Sequence, residues 1–98
     1  MRTLLKATCE VEAGNKSIKD NTLADVMKSV IGKIQPEACY FLANEGCRSA
    51  FMVFDLKDAS DIPSIAEPFF LNMNAKVEFT PVMTAEEMQK GLEKFQKG

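Results

Sequence analysis

Ninety-eight residues, 46% hydrophobic and 27% charged, make one soluble domain; residues 1–98 hold no internal linker or low-complexity stretch that would divide them. Twelve Lys and Arg against fourteen Asp and Glu leave a net charge of −2. That excludes the concentrated basic face on which nucleic-acid binding depends. The chain has no histidine and no tryptophan. Without histidine there is no His general base, no His-assisted nucleophile, no His-ligated haem and no ordinary zinc site, so neither a metal nor a cofactor is expected.

No segment approaches the ~20 apolar residues of a membrane helix. Met1–Ala13 carries Arg2, Lys6, Glu10 and Glu12 and lacks the apolar run of a secretory signal, so the chain is expected to be cytoplasmic, with no membrane partner. Cys9, Cys39 and Cys47 are odd in number, widely spaced and form no CxxC. They read as reduced thiols, two acting as small core hydrophobes and Cys47, beside a turn and Arg48, as the exposed one.

Along the chain, Thr3–Glu12 alternates Leu5, Ala7, Cys9 and Val11 with Leu4, Lys6, Thr8 and Glu10 and predicts a strand. Ala13–Thr22 is polar, contains Gly14, and reads as a loop or frayed helix entry. Leu23, Val26, Met27, Val30, Ile31 and Ile34 then follow helical spacing, with Thr22 and Asp25 as a modified capping box and Gln35-Pro36 as the stop. Cys39–Asn44 and Ser49–Leu56 form a hairpin about Glu45-Gly46. Asp58 caps the next helix, in which Ile62, Ile65, Ala66, Phe69, Phe70 and Met73 share a face. Pro63 suits its first turn, and Pro68, inside the pattern, predicts a kink or break. Ala75–Met83 is a fourth strand. Thr84-Ala85-Glu86-Glu87 is a full capping box opening a terminal helix with Met88, Leu92 and Phe95 on one side. The order βαββαβ with a C-terminal helix predicts an α+β, ferredoxin-like fold with a four-stranded antiparallel sheet.

In such a fold the helices cover one sheet face and the other should be polar. Here Phe51, Met52, Val53 and Phe54 run without interruption, as do Tyr40, Phe41, Leu42 and Ala43. A second copy packing sheet against sheet resolves this, and Met52 or Phe54 is expected to face the partner. The competing reading folds the terminal helix back over the open face.

The βαββαβ order, the two-faced third strand, and the segments Ile65–Leu71 and Val77–Met83 resemble small uncharacterised bacterial proteins of the dimeric α+β barrel superfamily. The resemblance spans nearly the whole chain. It implies a homodimer whose facing sheets enclose a barrel-like cavity, and it fixes no activity, because the superfamily includes monooxygenases, isomerases and haem enzymes. The haem branch relies on a proximal histidine and the antibiotic-biosynthesis monooxygenases on Trp, Tyr, Asn and Arg; this chain has neither His nor Trp.

The candidate ligand-binding residues are Arg48, Lys6, Thr8, Glu10, Tyr40, Asn44, Met52 and Phe54. Lys6, Thr8 and Glu10, with Lys76, Glu78 and Thr80 on the neighbouring strand, line a polar wall of the cavity or form cross-strand ion pairs at a dimer rim. Arg48 is the only arginine past residue 2, and its planar fork suits a carboxylate ligand; the plainer reading is a solvated hairpin arginine or one paired with Glu45 or a partner carboxylate. Tyr40 and Asn44 share a strand face and add hydrogen bonds, unless Tyr40 is simply a packed aromatic. The leading function is a homodimer holding a mainly apolar small molecule, fatty-acid-like or an aromatic acid, in its barrel cavity. The alternatives are a cofactor-independent monooxygenase or isomerase using Tyr40, Lys6 and Glu10, and a structural or regulatory dimer without ligand. No catalytic motif is recognisable.

Overall fold

Alternation puts Arg2–Thr8 in β1, with Thr3, Leu5 and Ala7 buried on one face and Leu4, Lys6 and Thr8 half-buried on the other. The computed structural model describes all residues, Met1–Gly98. β1 stops at Thr8, short of Glu12, because Glu10 turns the chain into a helix: its carboxylate accepts a hydrogen bond from Ala13 N at 2.7 Å and caps α1 (Val11–Lys19). The segment expected as a loop is therefore mostly helical. Its buried face consists of Gly14 and Ser17, with Ser17 Oγ donating to Gly14 O at 2.7 Å, and so carries no large apolar side chains to mark a period.

Asn21, left-handed at φ 64°, joins α1 to α2 (Thr22–Ile34). No capping box forms with Asp25; the Thr22 amide donates to Asp20 Oδ1 at 3.0 Å instead. Val26 and Val30 are buried, with Leu23, Met27, Ile31 and Ile34 packed around them, and Gln35 closes the helix before Pro36. β2 (Ala38–Asn44) and β3 (Cys47–Asp55) meet at Glu45 and Gly46, whose φ values of 54° and 78° match the two positive angles of a type I′ hairpin.

Asp58 caps a short 3₁₀ turn by accepting from Ser60 N at 2.9 Å, and the turn feeds α3 (Ile62–Met73). α3 runs through Pro68 without a break. Proline leaves the Ser64 carbonyl without its i+4 amide, and the Lys33 ammonium of α2 donates to that oxygen at 3.3 Å. β4 (Lys76–Pro81) follows, and then α4 (Ala85–Lys97), opened by the complete Thr84–Glu87 capping box.

The antiparallel order β2-β3-β1-β4 is that of a ferredoxin-like sheet. One layer of helices covers one face, and a single core joins Leu5, Ala7, Met52 and Phe54 of the sheet to Val26 and Val30 of α2 and Ile65, Phe69 and Met73 of α3. Phe54 meets Phe79 edge-on, ring centroids 6.4 Å apart. Nothing in α4 is buried, so the helix does not fold back over the sheet. No helix is long and apolar enough to cross a membrane.

Several surface carboxylates sit below their ordinary range: Asp20 through Thr22 and then Lys16, Asp55 through the Met1 ammonium and then Lys57, Asp58 through the Ser60 amide, and Glu87 through the Thr84 amide and then Arg2. A depressed carboxylate contributes stability that is present above its unfolded value and lost as pH falls through the folded one. Urea midpoints should therefore be flat between about pH 5 and 7, where no histidine titrates, and fall steadily below about pH 4.

Candidate ligand grooves and the open sheet face

Strand register decides which candidates share a surface. Leu5 pairs with Met52, and Thr3 with Phe54, on the helix-covered face; Lys6 pairs with Phe51 and Leu4 with Val53 on the open one. Met52 and Phe54 are 0% and 2% exposed. They belong to the core and cannot touch a partner's sheet. The outward residues of β3 are Phe51 and Val53, and β2 adds Tyr40 and Leu42, since Tyr40 pairs with Phe51 and Leu42 with Ser49. Tyr40 is 69% exposed, so it is not a packed aromatic of the core. The Lys6 ammonium lies 5.1 Å from the Phe51 ring centroid, over apolar surface.

At one end of this open face a polar cleft of about 630 Å³ gathers Lys6, Thr8, Glu10 and Asn44. Lys76 and Glu78 join them, held opposite Thr8 and Lys6 by the β1–β4 register. Four of the eight candidates thus converge. Lys6 is engaged with Phe51, and Glu10 with the cap of α1, so the two candidate general bases already serve the fold.

Arg48 lies elsewhere. The turn pairs Asn44 with Cys47 and Ala43 with Arg48, which sends Arg48 to the helix side of the sheet, opposite the polar cleft. There it lines an apolar groove of about 370 Å³ between α2 and the edge strand β2, with Leu23 and Met27 on one wall and Phe41 and Ala43 on the other. Phe41 is 62% exposed because α2 does not extend over the edge of the sheet. Arg48 Nη1 donates to Asn15 Oδ1 at 2.8 Å, and no carboxylate pairs with the guanidinium. Gly14 makes room for it: a Cβ there would lie 3.3 Å from Arg48 Nη1.

Cys9 touches both the groove and the cleft. Burial pushes its thiol up against the opposing pull of Arg48, which makes it a weak nucleophile. Cys39 is likewise raised by burial, and all three thiols are free. No group of three or more Cys, Asp or Glu side chains is placed to hold a metal ion.

Sequence reasoning missed Leu23, Met27 and Phe41 as groove residues and Asn15 as the partner of Arg48. Leu23 and Met27 carried only the signal of helix packing, and Asn15 stood in the segment taken for a loop. The chain matches no known family model, and no curated protein matches it.

The two faces of β3 separate cleanly by substitution. Phe54→Asp should cost about 4 kcal/mol or more and abolish cooperative urea unfolding, because it places an unpaired charge in the core. Phe51→Asp should keep the far-UV circular dichroism of the folded chain.

Proposed function

We propose that the protein is a cytoplasmic homodimer of the dimeric α+β barrel kind that binds a small apolar carboxylic acid, fatty-acid-like or aromatic. The observation that carries the ligand class is the apolar groove with a single cation, Arg48, among its lining residues. Its volume of about 370 Å³ suits a small ligand, and an arginine without a carboxylate partner is the group best shaped to receive one in two parallel hydrogen bonds. Asn15 fixes the side chain without neutralising it. The apolar tail would lie between Met27 and Phe41, where a flexible thioether and an exposed ring adapt to its shape.

The dimer is supported by the open face of the sheet. Half-buried Leu4, Phe51 and Val53 and exposed Tyr40 and Leu42 form an outward apolar strip over which no helix packs. Facing sheets would also shield the polar cleft from bulk water. The commitment of Lys6 and Glu10 to packing and capping favours binding over the enzymatic alternatives.

Isothermal titration with decanoate and with cinnamate tests the reading. Both should bind, the corresponding alcohols should bind more weakly, and Arg48→Met should weaken the acids by about 10- to 100-fold while leaving the alcohols unchanged. Acids that bind no better than alcohols, or that bind the variant equally well, would contradict it.

A further inference from the structure

We propose that α4 is an exchanged arm: in the dimer its Met88, Leu92 and Phe95 lie over Tyr40 and Leu42 on the outward face of β2 in the second copy. This rests on the sheet-face dimer proposed above and adds what completes it.

The chain is too extended to be finished alone. Its radius of gyration is 15.7 Å, against about 12.6 Å for a compact domain of this length. Its accessible surface is 6757 Å², about 1,200 Å² more than the ~5,600 Å² that a folded monomer of 10.9 kDa exposes. A stable interface removes about 800 Å² from each partner, so the excess is of the size that one dimer contact consumes.

α4, in which no residue is buried, contributes to that excess. Met88, Leu92 and Phe95 form one stripe at helical spacing and are 50%, 47% and 82% exposed. A helix of 13 residues is marginal in water without packing, yet this one is firmly started. The capping box fixes its first turn, and Arg2 Nη1 holds Glu87 Oε1 at 3.1 Å while its Nε donates to Glu37 Oε1 at 2.7 Å. The root of the arm is anchored to β1 and the remainder projects.

Charge and topology select the occupant. Glu86, Glu87 and Glu93 balance Lys90, Lys94 and Lys97, so the helix lacks the basic face that draws an amphipathic helix to anionic lipid. The apolar surface it needs is present on the same chain, in β2, where the consecutive residues Tyr40, Phe41, Leu42 and Ala43 are all exposed. When two such sheets face each other about a two-fold axis parallel to the strands, the order β2-β3-β1-β4 sets β4 of one copy opposite β2 of the other. α4 follows β4, and its length of about 20 Å matches the ~23 Å of β2.

The test uses the full chain carrying Leu92→Glu and Phe95→Lys together. Both positions are exposed and the net charge is unchanged, so the fold itself should survive, as far-UV circular dichroism will register. Sedimentation equilibrium should show the wild-type dimer dissociating at least about thirtyfold more readily once both residues are changed. In a mixed sample of labelled and unlabelled wild-type chains, isotope-filtered NMR should show contacts between the Met88 methyl group of one copy and the Tyr40 ring of the other. A dimer of undiminished affinity in the double variant, or Met88 contacts that exclude Tyr40, would overturn the arm and leave the sheet-face dimer standing. A monomeric wild-type chain would overturn both.

Discussion

The structure depends on one mismatch: a sheet with apolar side chains on both faces and helices enough for one. The core between sheet and helices is complete, with Leu5, Met52, Phe54, Phe69 and Met73 all but inaccessible to solvent. The face behind it carries Leu4, Phe51, Val53, Tyr40 and Leu42, half-buried or exposed, and no helix layer covers them. A chain of 98 residues buries too little surface to waste an apolar strip of this size. Apolar area removed from water stabilises by roughly 25 cal/mol per Å², so covering even part of the strip is significant on the scale of a small domain's stability.

The same shortage of helix shapes the proposed ligand site. α2 reaches only as far as Leu23 and Met27, and β2 extends past it, leaving Phe41 and Ala43 as one wall of a groove instead of part of the core. α1 then supplies polarity at close range. Its contact face is Gly14 and Ser17, small enough to bring the backbone against β3, and Asn15 follows in position to hold Arg48. A guanidinium at the edge of an apolar groove, oriented but not neutralised, is an arrangement suited to recognition. It fits the proposed binding role, and in the opposite cleft Lys6 is engaged with Phe51 and Glu10 with the α1 cap.

Much of this was legible in the sequence where period and chemistry agreed. The stripe Leu23–Ile34, the Glu45-Gly46 hairpin and the Thr84–Glu87 capping box each carry a signal with a single structural solution, and each formed. α1 was not legible because its buried residues are glycine and serine, which have no hydrophobic period. The uninterrupted run Phe51–Phe54 could not reveal its faces: a strand apolar at every position looks identical in both registers, and only pairing with β1 sends Met52 and Phe54 inward. The face of Arg48 also depends on register. A tight turn that pairs Asn44 with Cys47 puts it opposite Ala43, on the groove side, while Asn44 keeps to the cleft. Pro68 was readable as a helix breaker from its own chemistry, but the Lys33 ammonium that satisfies the Ser64 carbonyl is thirty-one residues away in sequence.

The proposal that a second copy covers the open face is tested most directly by mass. Sedimentation equilibrium of the unmodified full chain at neutral pH should give twice 10.9 kDa, with dissociation only on dilution. A mass of 10.9 kDa at every concentration, with the chain remaining soluble, would contradict the central claim that the sheet is completed by a second copy.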